Sequence, residues 1–200
     1  MTDGPSGTPG ALHVIKTEHR NLLRVVNLFD IILRGAAPGE PPDFSLLGAI
    51  VDYLQRFPDT HHHPKEDRFL FAALRARDPD SHGILDELEA EHTLCLAATT
   101  GLAAALDAYR AGAPGADAAF RAAAADYRRL QLRHLQKEEG VVMPMALRAL
   151  RPGDWEAIDA AFADNRDPLF SEDAEEEARA LYSRIVNLAP APYGLADPHP

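Results

Sequence analysis

The chain of 200 residues is long enough for one sizeable core, and its 31 acidic against 20 basic residues, a net charge of −11, leave no basic footprint for nucleic acid or an anionic membrane surface. The lone Cys95 excludes an internal disulfide, a zinc ribbon or an iron–sulfur cluster, so any metal site must use nitrogen and oxygen donors. No apolar run reaches the roughly 18 residues of a membrane span, and the polar, Gly/Pro-rich start over 1–10 is unlike a signal peptide. The expectation is a cytoplasmic protein with no nucleic-acid or membrane partner, and no protein partner is deducible.

Residues 1–10 read as a flexible N-terminus. A first amphipathic helix follows from apolar steps of three and four in Leu12, Ile15, Leu22, Val26, Phe29 and Leu33. Gly35 to Pro42 must end it, and Asp43 or Ser45 can cap the next. The second helix carries Phe44, Leu47, Val51, Leu54 and Phe57 and continues past a histidine run to Phe69, Leu70 and Leu74. Pro58 and Pro64 each remove a backbone donor inside it, which predicts a bend or re-start, with Asp59 or Thr60 as an internal cap.

After a turn at Asp78 to Gly83, the third helix carries Leu85, Leu88, Cys95, Thr99, Leu102, Leu106 and Tyr109, and Gly112 to Gly115 ends it. The fourth carries Phe120, Ala123, Tyr127, Leu130, Val141 and Met145, reaching about Leu150. No segment reads as a strand. Short links between long helices predict an all-α fold, an up-down-up-down antiparallel four-helix bundle over 11–150. A two-helix extension over 151–188 is expected to pack on it. Its short first helix is N-capped by Asp154 and ends at Phe162, and its second is acidic, about Glu172 to Leu188. Trp155, Ile158, Phe162, Leu181, Ile185 and Val186 form the packing face. The proline-bearing tail over 189–200 is expected to be extended.

The nine histidines are not scattered. His19, His92 and His134 each lie on the apolar seam of a helix, and His61, His62 and His63 form a run. Glu-His occurs in the first and third helices, and His62-His-Pro-Lys-Glu-Asp67 parallels His134-Leu-Gln-Lys-Glu-Glu139, so one helix pair is used twice. His62 with Glu66, and His134 with Glu138, are spaced to share a helix face. Four imidazoles and two carboxylates therefore face one interior, where uncompensated polar groups cost several kcal/mol, on the order of the net stability of a whole domain. A cation resolves the conflict. This donor set suits Fe, Mn or Zn over Ca or Mg, and two carboxylates in a bundle interior can bridge a metal pair.

The predicted metal set is His19, His62, Glu66, His92, His134 and Glu138. His61 and His63 point to other faces than His62 and stand as alternatives to it, as ligand or as supporting residue. Glu18, Glu91, Asp67 and Glu139 read as surface or supporting groups, and His13, His82 and His199 as solvent-exposed. Glu89 with His92 makes one ferritin-type Glu-x-x-His pair, but a ferritin-like site needs two and Gln131 stands where the second would begin.

At these motifs the chain resembles the bacterial hemerythrin-like, HHE cation-binding proteins, over about Leu12 to Leu150. Asp154-Trp-Glu-Ala-Ile and Ile185-Val-Asn-Leu-Ala-Pro-Ala-Pro resemble the C-terminal extension of bacterial members. The resemblance implies a non-haem centre of two iron ions, oxo- or hydroxo-bridged, that binds or reacts with O2, NO or peroxide, or handles iron. Two departures from the oxygen carriers matter. Leu96 stands where they place a second histidine of the third helix, and positions 138 and 139 are both Glu where they use an aspartate five residues past the fourth-helix histidine. The four-His, two-Glu set resembles members linked to iron-centre repair, NO chemistry or peroxide turnover. The expected role is a binding or sensing protein for a small diatomic ligand or peroxide. The alternative is an enzyme that decomposes peroxide or reduces NO at the same centre.

Overall fold

The apolar steps become helices in the computed structural model, which describes residues 10–35 and 42–163. Helix α1 is Gly10–Gly35, α2 runs unbroken over 44–77, α3 is His82–Arg110, α4 runs over 116–149, and the short α5 is Pro152–Phe162. No strand occurs among the described residues, and none of their helices is long and apolar enough to cross a membrane. The predicted acidic helix from Glu172 to Leu188, with Leu181, Ile185 and Val186, lies outside the described residues, as do the tail over 189–200 and residues 1–9.

Of the two candidate caps for α2, Asp43 does the work: its carboxylate accepts from the backbone N–H groups of Ser45 and Leu46, both at 3.0 Å. Asp43→Ala is expected to lower stability by about 1 kcal/mol, read as a shift of the urea midpoint at unchanged slope. Between α2 and α3 stand only Asp78 and one 3-10 turn, Pro79–Ser81. Gly112 and Gly115, at φ of 71° and 75°, make the equally short link to α4 in a conformation that disfavours any residue with a Cβ.

Two apolar clusters establish the topology. One joins the last half of α1 (Leu22 to Leu33), the first part of α2 (Leu46 to Phe57), Leu102 and Leu106 of α3, and Phe120 to Tyr127 of α4. The other joins Ala11 to Ile15 of α1, Leu70 to Leu74 of α2, Leu85 and Leu88 of α3, Val142 to Ala146 of α4 and Leu150 just beyond its end. Each helix thus runs from one cluster to the other, in alternating directions. Trp155, Ile158 and Phe162 of α5 join the second cluster, so the first extension helix packs on the bundle.

The bend or re-start expected at Pro58 and Pro64 takes the form of a local change of helix type within a continuous α2. The helix widens into π-helical turns at Pro58–His62 and Glu66–Phe71, and α4 does the same at Glu138–Val142. Pro58, Pro64 and Pro144 fall in the first positions after each change of helix type, where a missing N–H is tolerated. Asp59 and Thr60 are not caps. The Thr60 hydroxyl donates to the Arg56 carbonyl, and Asp59 accepts from Thr99 Oγ1 at 2.6 Å.

Each π-turn adds a residue to its turn, which shifts the buried face downstream. Val141, expected in the core, is 42% exposed, and Val142 takes its place. Phe69 is likewise only half-buried, whereas Leu70 and Phe71 are fully buried. The predicted N-cap of α5 also moves. Arg151 holds that position, and Asp154, two residues into the helix, accepts from the Arg151 N–H at 2.9 Å. The Arg77 guanidinium donates two further bonds to Asp154, at 2.8 and 2.9 Å, tying the end of α2 to α5.

Candidate metal centre

Between the two apolar clusters lies a buried polar layer. α1 supplies Glu18 and His19, α2 supplies His62, His63 and Glu66, α3 supplies His92, and α4 supplies Gln131, His134 and Glu138. All six residues of the predicted set are brought together there. His19 Nε2 lies 3.1 Å from His62 Nε2, and His92 Nε2 lies 3.2 Å from His134 Nε2.

The two carboxylates stand between these imidazole pairs. Glu66 Oε1 is 3.5 Å from His19 Nε2 and 3.4 Å from His62 Nε2, and its Oε2 is 3.7 Å from His92 Nε2. Glu138 Oε2 is 3.3 Å from His19 Nε2 and 3.5 Å from His134 Nε2, with Oε1 3.9 Å from His92 Nε2. Both carboxylates reach both halves. Their four oxygens are buried with no hydrogen-bond partner among the described residues.

The other face of each ring explains why the Nε2 atoms point inward. His19 Nδ1 is 3.0 Å from Glu139, His62 Nδ1 2.8 Å from Glu18, His92 Nδ1 2.8 Å from Asp67, and His134 Nδ1 3.2 Å from Glu91. A carboxylate only accepts, so Nδ1 carries the proton, and a neutral ring then presents a bare lone pair at Nε2. The four acidic residues read as surface or supporting groups are thus the supports that orient the rings. Lys137 in turn holds Glu91 and, at 2.6 Å, Glu87.

Four bare nitrogens and four carboxylate oxygens now crowd one buried layer, and a set of acceptors without donors is tenable only around positive charge. In the protein alone, protons supply it. Burial works against a charged His19, yet Glu138, Glu139 and Glu66 outweigh burial and hold its pKa well above the usual value. The same contest raises His62, against burial, through Glu66 and Glu18, and raises His92 through Asp67 and Glu66. At His134 burial prevails over Glu138 and the pKa falls. Burial would raise Glu138, but His134 and His19 hold it well below the carboxylate range. His19, His62, Glu66 and Glu138 form one group whose donor atoms all lie within 4.8 Å of one another, and Glu66, His92, His134 and Glu138 form a second. Each group can hold a cation, and they share the two glutamates.

The hemerythrin HHE cation-binding domain matches residues 10–146. The chain belongs to the hemerythrin family. No curated protein matches the chain at a significant level. A hemerythrin domain binds metal ions, typically iron, and the nitrogen and oxygen donors in this layer are of the type that iron accepts.

Several residues depart from the sequence reading of this hemerythrin bundle. His63, expected on another face, is buried in the layer beside His92. The cause is the π-turn Pro58–His62, in which successive side chains swing less far around the axis than in an α-helix. Arithmetic at 3.6 residues per turn misses it; Pro58 ahead of the histidine run was the available signal. His61 stays outside, its Nδ1 within 3.2 Å of the Arg56 carbonyl. His13 and His82 are exposed as expected, and His199 lies outside the described residues. Glu89 faces outward and pairs with Arg75 at 3.0 Å, which removes the ferritin-type pair. Cys95 is a core thiol whose pKa is pushed up by burial. It accepts from Gln131 Nε2 at 3.3 Å, and the same amide donates to the Tyr127 hydroxyl at 3.0 Å.

Proposed function

We propose that this hemerythrin domain holds two iron ions. His19 and His62 serve one ion, His92 and His134 the other, and Glu66 and Glu138 span the pair; manganese or zinc can substitute. The protein then binds or senses O2, NO or peroxide, or handles iron. One observation carries this reading: a sealed layer in which four imidazole nitrogens and four unpartnered carboxylate oxygens converge. The bound pair would supply the Lewis-acid and redox chemistry on which those small ligands act.

The chain's own residues define the rest. Glu18, Glu139, Asp67 and Glu91 fix the ring orientations and raise the basicity of the inward nitrogens. Leu22, Phe57 and Tyr127 on one side and Phe71, Leu88 and Val142 on the other keep bulk water out. The experiment is anaerobic reduction of iron-loaded protein followed by separate exposure to O2, H2O2 and NO. A stable spectral adduct with one of them is expected. Repeated consumption of the added reagent without such an adduct would contradict the binding role and favour an enzyme.

Loading is expected to tighten as pH rises. The metal-free fold retains protons on His19, His62 and His92 above the usual histidine range, coordination needs those nitrogens bare, and uptake therefore releases protons. Raising the pH removes the competitor. A single displaced proton gives about tenfold per pH unit, so apparent iron(II) affinity is expected to rise between pH 6 and pH 8 by up to about 100-fold for each proton displaced over that range. Anaerobic competition with a chelator, corrected for its own protonation, measures this; a flat profile contradicts it.

A further inference from the structure

Among the described residues, His63 is the one buried histidine that the six-residue set leaves unused. It is 3% exposed, and neither of its ring nitrogens has a hydrogen-bond partner among the described residues. Its ring stacks on His92 at 4.2 Å between centroids and meets His134 edge-on at 5.4 Å. Nitrogens of His63, His92 and His134 lie within 4.8 Å of one another. An imidazole buried with both nitrogens idle is costly, and native interiors rarely tolerate it without a missing partner.

We infer that His63 is a third nitrogen donor to the metal held by His92 and His134, supplied by α2 rather than by α3. The support behind it repeats the pattern of the other four histidines. Asp59 Oδ1 faces His63 Nδ1 at 3.5 Å, and Asp59 is itself fixed by the Thr99 hydroxyl. The two atoms make no hydrogen bond in this arrangement, but the facing group is a carboxylate at Nδ1, as it is for His19, His62, His92 and His134.

The geometry of α3 also explains why the donor comes from elsewhere. Leu96, four residues after His92, is 52% exposed, because the seam of α3 continues through Cys95 and Thr99 instead. A histidine at 96 would point to solvent. The two halves of the repeat differ at this point too. Leu135 stands after His134 where His63 stands after His62, so no matching donor exists on the other side.

This inference rests on the two-metal reading and makes the pair unequal. The His92 side has three imidazoles and the His19 side two, so a small exogenous ligand is directed to the metal at His19 and His62. The five-histidine count of the oxygen carriers is thereby reached by a different helix.

The test uses the full chain and the variants His63→Ala and His63→Gln, loaded anaerobically with isotopically enriched iron(II). Iron is counted after equilibration against a competing chelator, and the reduced proteins are compared by Mössbauer spectroscopy. Because the His63 ring makes no hydrogen bond, both metal-free variants are expected to keep the wild-type circular dichroism. Wild type is expected to show two inequivalent ferrous signals of equal area. In both variants the affinity for one iron is expected to fall by about 100-fold or more, with its signal lost or altered, and added imidazole is expected to restore it in His63→Ala. Variants that keep both irons at wild-type affinity with both signals unchanged would overturn the role of His63 alone. Wild type that takes up no iron would overturn the two-metal reading, and this inference with it.

Discussion

Glu138→Ala is expected to empty the centre. Glu138 contacts the Nε2 atoms of His19 at 3.3 Å and His134 at 3.5 Å, rings that the proposed two-iron arrangement assigns to different metals. Truncation removes two donor oxygens at once and leaves Glu66 as the only carboxylate that spans the layer. Losing one supporting group behind a ligand already costs about 10–100-fold in metal affinity, so loss of the spanning ligand is expected to exceed that range. His62→Ala is expected to act in the same direction. His61→Ala is the control: its ring lies against the Arg56 carbonyl outside the layer, and iron content is expected to stay at the wild-type level. Metal analysis after identical iron-replete expression, with near-ultraviolet absorption of the di-ferric protein, reads all three. Equal loss in all three would mean that the helical register of α2 in solution differs from the one described.

Stripping the metal is expected to lower thermal stability more than any exposed substitution. A ligand that binds only the folded chain, at 100 to 1,000 times its dissociation constant, contributes about 2.7–4.1 kcal/mol. For a chain of this size each kcal/mol moves the midpoint by about 2–4 °C, which gives a fall of about 5–15 °C for each site emptied. Glu66→Gln is expected to act on both folding and metal binding. In the metal-free protein it removes a buried negative charge that faces the protonated imidazoles of His19, His62 and His92, so the metal-free midpoint is expected to fall. The increment that iron gives the wild type is expected to vanish. Scanning calorimetry of both proteins, with and without iron, measures the two effects; a Glu66→Gln variant that retains the full iron increment would contradict its place as a ligand.

The helices were legible because core-facing residues recur at a helical period wherever the helix is regular. Leu12, Ile15, Leu22, Val26, Phe29 and Leu33 of α1 are all buried, as are Leu85, Leu88, Cys95, Thr99, Leu102 and Leu106 of α3. Neither helix contains a π-turn. In α2 and α4 the same reasoning slipped, by one residue at Val141 against Val142 and by two at Phe69 against Phe71, because a π-turn includes each pair. The convergence of the six polar residues was legible for a different reason. Buried His and Glu at matched spacings in two halves of a repeat have few uses in an apolar layer. The orientation of His63 was not legible, since it depends on the path of the backbone at Pro58. The pairing of each ring with its own carboxylate was not legible either, since those contacts run between helices.

The measurement that tests the central claim most directly is the iron content of the wild-type chain, purified after iron-replete expression, with its absorption spectrum. The account predicts two irons per chain and the near-ultraviolet bands of a bridged di-ferric pair, both lost on reduction and chelation. A protein that carries no metal after such expression, and takes up none when offered iron(II) anaerobically, would contradict it.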